Sequence, residues 1–210
     1  MPRLKIGVLV SGSGTNLQSL IDSIKSGEIN GEIAVVISDK EDAYGLERAR
    51  ANGISTVFVN AKQYKNRTAF NGEIVSVLKK HGVVLVVLAG YLKILSPEFI
   101  GEYRNKIINI HPSLIPSFCG KGYYGLRVHE AVIKYGAKIT GATVHFVDEE
   151  ADAGPIILQD AVEVYWDDTP EVLQQRVLKV EHRLLPAAVK YYCEGRIETE
   201  GRKVKIREDS

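Results

Sequence analysis

Apolar positions follow two alternating rhythms along the first half of the chain. Leu4 to Val10 is a short apolar run that predicts a strand, followed by the turn Ser11-Gly12-Ser13-Gly14-Thr15-Asn16. Leu17, Leu20, Ile21 and Ile24 then recur at i, i+3, i+4 and i+7, the spacing of one helical face, which should end at Gly27. Ile33 to Ile37 predicts a second strand, Asp42 to Asn52 a helix with Gly53 just past its end, and Thr56 to Val59 a third strand. Phe70, Ile74, Val77 and Leu78 mark another helix, stopped near Gly82. Val83 to Leu88 is an unbroken, largely β-branched run of the kind covered on both faces in parallel sheets. A short helix after Ser96-Pro97 leads to Ile107-Ile108-Asn109-Ile110-His111, a strand that stops at Pro112. Strands separated by helical segments imply βαβ units.

The second half has a different pattern. A Gly- and Tyr-rich loop, 117–125, precedes a helix around Val128 to Tyr135. Strands from Ala142 to Val147 and Ile156 to Val164 are joined by the acidic loop Asp148 to Gly154, and so short a link favours an antiparallel or angled pair. Leu173, Val177, Val180 and Leu184 trace a long helix beginning at Thr169-Pro170, which Pro186 should kink or interrupt by removing a backbone donor. Ile197 to Ile206 reads as a terminal hairpin around Glu200-Gly201. The expected class is α/β: a mainly parallel, Rossmann-like sheet with helices on both faces and mixed strands in the C-terminal half.

Composition narrows the function classes. With 210 residues the chain can bury one sizeable core, so one domain with two lobes is expected. Its 27 basic and 26 acidic residues are well mixed, without a basic stripe, so no nucleic-acid partner is expected. Two distant cysteines, Cys119 and Cys193, fit a reducing cytosol rather than a disulfide framework. No signal-peptide pattern opens the chain and no apolar run approaches the ~20 residues of a membrane span, so a soluble, cytoplasmic protein is expected.

Candidate chemistry gathers at strand ends. Alternation along a strand puts Asn109 and His111 on one side, about 7 Å apart. A carboxamide that can hydrogen-bond a carbonyl oxygen then stands beside an imidazole that can carry a proton, which suits attack on a carbonyl-like carbon. The turn 11–16 offers two glycines, hydroxyls on Ser13 and Thr15, and the positive end of a following helix, so phosphate is its natural ligand. It lacks the third glycine of the dinucleotide fingerprint and the lysine of the P-loop, which favours a monophosphate or mononucleotide. Leu88 to Pro97 leaves a buried strand at its carboxyl end, where α/β sheets place ligands, and its apolar character suits a flat aromatic group. One carboxylate of the loop 148–155 turned toward His111 would favour the imidazolium, although the residues alone do not say which. His145 reads as a structural, hydrogen-bonded histidine. Cys119 lacks a partner arrangement for a nucleophile, and His81, His129 and His182 receive no chemical role.

Together, Ser11 to Asn16, Leu88-Ala89-Gly90-Tyr91, Asn109 to Leu114 and Asp148 to Pro155 resemble the phosphoribosylglycinamide formyltransferase family of folate-dependent formyltransferases. The resemblance runs from about Leu4 to Ile197. It implies formyl transfer from the co-substrate 10-formyltetrahydrofolate to the amine of 5-phosphoribosylglycinamide, a step of de novo purine (IMP) biosynthesis. It further implies a single formyltransferase domain over 1–210, with a phosphate-binding half at 1–105 and a catalytic and folate-binding half at 106–210. By similarity, Asn109, His111 and Asp152 form the catalytic set. Gly14, Thr15 and Asn16 bind the substrate phosphate, and Glu181 its glycinamide part. Arg67, Leu92, Lys93, Ile94, Leu95, Asn109, Val147 and Asp148 lie along the folate. Small-molecule substrates, no metal and a monomer or homodimer are expected. Two departures stand out: the loop 118–125 is longer than in many members, and Lys93 replaces a common arginine, keeping charge without the planar fork. Formyl transfer to another amine, and a non-catalytic mononucleotide- or folate-binding protein, are the alternatives. The latter has no reason to keep Asn109, His111 and Asp152 together.

Overall fold

A computed structural model describes residues 3–208; the first two residues of the expected leaderless N-terminus lie outside them. The chain divides into two compact units, 1–109 and 110–210. In the first, strands β1 (Leu4–Val10), β2 (Gly31–Ser38), β3 (Thr56–Phe58), β4 (Leu85–Leu88) and β5 (Ile107–His111) run parallel in the order β3-β2-β1-β4-β5. Ile6, Val8, Leu9, Val35, Val36, Ile37 and Leu85 to Val87 are fully buried, as a sheet covered on both faces requires. The order reverses between β1 and β4, so the crevice such a reversal creates opens at the carboxyl ends of these strands, where the turn 11–16 and the segment 89–95 begin.

The helices of this unit are α1 (Thr15–Lys25), α2 (Tyr44–Ala51), α3 (Arg67–Lys80) and α4 (Pro97–Glu102). Asn66 caps α3 by accepting from the Ala69 amide at 2.8 Å, and Ser96 caps α4 ahead of Pro97. Buried Asn71 ties the two ends together, donating to the Arg67 carbonyl and accepting from the Ser96 amide. β4 begins two residues later than the apolar run suggests. The Val83 amide closes the end of α3 by donating to the Leu78 carbonyl, and Val84 is exposed.

In the second unit, β6 (Ile139–Phe146) and β7 (Ile156–Glu163) pair antiparallel, with a register shift at Val144/His145. β6 starts three residues earlier than expected, and Gly141 lies within it because a Cβ there would stand 2.0 Å from the Asp160 carbonyl oxygen. Helices α5 (Leu126–Tyr135) and α6 (Pro170–Cys193) pack on each other, and α6 on β6 and β7. Pro186 does not interrupt α6, which continues through it for 24 residues. The lost backbone donor is offset by burial of Leu184, Leu185, Pro186, Ala188 and Val189 around that point. β8 (Ile197–Glu200) and β9 (Lys203–Ile206) form the terminal hairpin. The fold is α/β, with a mainly parallel sheet flanked by helices and mixed strands in the C-terminal half. No helix among the described residues is long and apolar enough to cross a membrane.

Candidate active site

His111 ends β5, is 4% exposed, and has both ring nitrogens facing acceptors. Nε2 lies 3.0 Å from the Phe118 carbonyl oxygen, and Nδ1 lies 3.6 Å from Asp152 Oδ2, an ion-pair contact rather than a hydrogen bond. An imidazole between two acceptors is best served by two N–H groups, the protonated form. Burial opposes this and holds its pKa below the ordinary value; the Asp152 carboxylate and the Phe118 carbonyl pull upward against burial, and His145 adds to the downward shift. Asn109, half-buried, stands two positions earlier on the same strand.

Asp152 is the carboxylate of the acidic loop that turns inward. Its Oδ2 accepts from the Gly120 amide at 2.8 Å, and Oδ1 lies 3.7 Å from His145 Nε2. Burial alone would raise its pKa, but His145, His111 and the Gly120 amide outweigh burial and hold the carboxyl below its usual range. Its backbone is left-handed, φ 55°, a conformation aspartate tolerates better than most residues. The long loop is thereby engaged with both partners: Phe118 accepts from the imidazole and Gly120 donates to the carboxylate. Ser113 Oγ braces the loop by donating to the Ser117 carbonyl at 2.7 Å.

His145 is hydrogen-bonded, with Nδ1 2.7 Å from the Phe146 carbonyl, but it also flanks Asp152 opposite His111. The structural role expected from the sequence is therefore incomplete; the signal for the contact is the place of His145 on β6, one loop before Asp152-Ala153-Gly154-Pro155. His129, 1% exposed on α5, has no hydrogen-bond partner for Nδ1 among the described residues, and burial followed by His111 pushes its pKa down to about 4. Such a histidine folds neutral, so acid draws protons to the unfolded chain and stability falls as pH drops from about 6.5 to about 4. The loss is about 3 kcal/mol at most. His129→Leu should therefore show a shallower acid-side fall in Tm than wild type; parallel Tm–pH curves would refute a neutral buried His129.

The phosphate turn is built differently. Gly14 (φ 70°) is the N-cap of α1, which has no side-chain cap, and the start of a helix is a favourable place for an anion. A Cβ on Gly14 would stand 2.6 Å from Gly45 Cα, because α2 packs directly under the turn and the Gly45 amide donates to the Gly12 carbonyl at 2.9 Å. Arg48 Nε donates to the Ser13 carbonyl at 2.8 Å, placing a cation beside the turn. Thr15 is half-buried and Asn16 buried.

A cavity of about 540 Å³ in the first unit is lined by Ala61, Tyr64, Asn66, Arg67, Phe70, Leu92, Lys93 and Ile94. It brings together Arg67 and three residues of the 92–95 segment; Leu95 is buried and does not line it. Tyr64 and Phe70, whose rings meet edge to face at 5.9 Å, add an aromatic wall that the pattern did not single out. In the second unit, Val147 follows β6 directly, and Asp148 Oδ1 accepts from the Glu150 amide at 3.1 Å at the start of the Asp152 loop. Glu181 is buried in α6.

Residues 4–189 match the formyl transferase family. The chain is 45% identical to chloroplastic phosphoribosylglycinamide formyltransferase of Arabidopsis thaliana, over 93% of this chain and 67% of that protein. It is 40% identical to phosphoribosylglycinamide formyltransferase of Escherichia coli K12, over 92% of this chain and 89% of that one. The solved glycinamide ribonucleotide transformylase 1 of Symbiobacterium toebii superposes with a TM-score of 0.94 at 46% identity, over 98% of this chain and 95% of that one. The chain spans about a fifth of the trifunctional purine biosynthetic protein adenosine-3 of Gallus gallus, 19% of its length at 44% identity. With the matched span covering nearly all of its elements, this chain belongs to the formyl transferase family, among the phosphoribosylglycinamide formyltransferases.

Proposed function

We propose that this protein transfers the formyl group of 10-formyltetrahydrofolate to the amine of 5-phosphoribosylglycinamide in purine biosynthesis. The observation that carries the mechanism is His111 held between a backbone carbonyl and the Asp152 carboxylate. The neutral amine attacks the formyl carbon and forms a tetrahedral intermediate with charge on oxygen. The Asn109 carboxamide and the His111 imidazolium stabilise that oxyanion, and the Asp152 carboxylate favours the charged imidazole against the pull of burial. The intermediate then expels the folate N10; the amine gives up one proton and N10 gains one, with Asp152 assisting the relay. Electrostatic stabilisation supplies the charge compensation, so the step needs no resident metal.

Gly14, Thr15 and Asn16 bind the substrate phosphate and Glu181 the glycinamide part. Arg67, Leu92, Lys93, Ile94, Leu95, Asn109, Val147 and Asp148 lie along the folate. The uncapped start of α1 and the cavity lined by Arg67 and Leu92 to Ile94 support these two assignments. The deciding measurement is an absorbance assay of folate turnover with glycinamide ribonucleotide as acceptor. Steady turnover that depends on this acceptor is expected. Turnover only with a different amine would reassign the acceptor, and tight folate binding without turnover would make this a binding protein.

A further inference from the structure

Three neighbouring strand ends of the first unit are stitched together by one hydroxyl. Ser11 follows β1, Asp39 follows β2, and Gly90 to Leu92 follow β4; these strands stand side by side in the order β2-β1-β4. Ser11 is 2% exposed, and its Oγ donates to Asp39 Oδ1 at 2.6 Å while accepting from the Leu92 amide at 2.9 Å. Its own amide donates to the carbonyl of Gly90, whose backbone is left-handed (φ 78°), at 3.1 Å. A serine hydroxyl has a single proton, so giving it to Asp39 fixes the lone pair that receives Leu92. The carboxylate makes the first bond charge-assisted, and linked hydrogen bonds polarise one another. Tyr91, between the two contact points, has a buried hydroxyl without a partner among the described residues; burial, then Asp39, raises its pKa and keeps it neutral.

Ser11 opens the turn whose glycines and α1 amides form the phosphate cradle. Leu92 opens the segment whose next residues line the 540 Å³ cavity. Ordering one segment therefore orders the other, and a ligand that has met that cost at one site lowers it for a ligand at the second. We infer that Ser11 and Asp39 are positioning residues that latch the phosphate turn to the cavity loop, so that filling either site tightens binding at the other. The identity of the two ligands rests on the proposed function; the latch itself rests on the hydrogen bonds.

The test is calorimetric binding of folic acid to the full chain, with and without saturating ribose 5-phosphate. Wild type is expected to bind folic acid about ten-fold more tightly with the phosphate present. Ser11→Ala and Asp39→Ala should reduce that factor to less than about two-fold, while Asp39→Asn, whose carboxamide oxygen still accepts from Ser11, should restore it. No tightening in wild type, or wild-type coupling in both alanine variants, overturns the latch. Equal weakening for each ligand alone with the coupling factor retained is the signature of a merely structural role and overturns it too. Should Ser11→Ala fail to fold, the Asp39 pair decides. Wild-type turnover with glycinamide ribonucleotide is measured in parallel: coupling without turnover refutes the proposed reaction and leaves the latch, whereas turnover without coupling refutes the latch alone.

Discussion

Replacing His111 with alanine is expected to lower kcat by about a thousand-fold while changing the KM for glycinamide ribonucleotide by less than about three-fold. The imidazolium is the one cation proposed to meet the developing oxyanion, and loss of one such donor typically costs about 3–4 kcal/mol of transition-state stabilisation. The ground state is spared because the hydrogen bonds holding the phosphate turn come from Gly45, Arg48, Asp39, Gly90 and Leu92 and do not involve His111. The surrounding loop also retains supports: Ser113 still donates to the Ser117 carbonyl, and Gly120 still donates to Asp152. A modest fall in Tm is expected from the truncated buried ring. Steady-state kinetics by folate absorbance check the result. Turnover within a few-fold of wild type would remove His111 from the chemistry; a rise in KM with kcat unchanged would make it a binding residue instead.

How much of this was legible in the residues depends on what kind of information each feature carries. The parallel half is written locally: the strands are apolar runs, α1 and α3 repeat apolar residues at i, i+3 and i+4, and glycines or prolines mark most of the boundaries, so β1 to β5 and α1 to α4 could be located without tertiary knowledge. The placing of Asn109 and His111 at alternate positions of one strand, β5, followed from the apolar pattern alone. Which acidic residue of the loop 148–154 turns inward did not, since that depends on the left-handed backbone at Asp152 and on the Gly120 amide 32 positions away. Only the family resemblance singled it out. His145 was undervalued for a related reason. Its contact with Asp152 depends on how the loop after β6 folds back, and that leaves no mark in an apolar pattern. Pro186 misled in the opposite direction, because its local penalty is outweighed by burial of the helix around it. The reach of the loop 117–125 was likewise hidden, since its contributions to His111 and Asp152 are backbone groups that any residue type supplies.

Asp152→Asn isolates charge from shape and gives the second large effect. Asparagine is nearly isosteric, tolerates the left-handed backbone at this position, and keeps an oxygen to accept from the Gly120 amide. The negative charge between His111 and His145 is lost. In the wild type, that charge is the larger of the two influences that raise the His111 pKa against burial. Without it nothing but the Phe118 carbonyl opposes burial, the pKa falls further, the imidazolium becomes scarcer at neutral pH, and kcat is expected to fall by about a hundred- to a thousand-fold with folate binding largely retained. The sign of the pH effect follows. Activity that needs protonated His111 is lost as pH rises through its pKa, so lowering that pKa must move the alkaline limb of the His111 titration toward acid. A stability effect runs alongside: the wild-type carboxyl titrates below its ordinary range, so its contribution is present above the unfolded-state pKa and disappears as acid protonates the folded form. The variant has no such carboxyl to protonate, and its Tm should therefore change less with pH on the acid side. An Asp152→Asn enzyme whose kcat and pH–rate profile overlay those of wild type would show that the carboxylate neither charges His111 nor assists the proton transfer, and the electrostatic mechanism would fail even if the overall reaction stood.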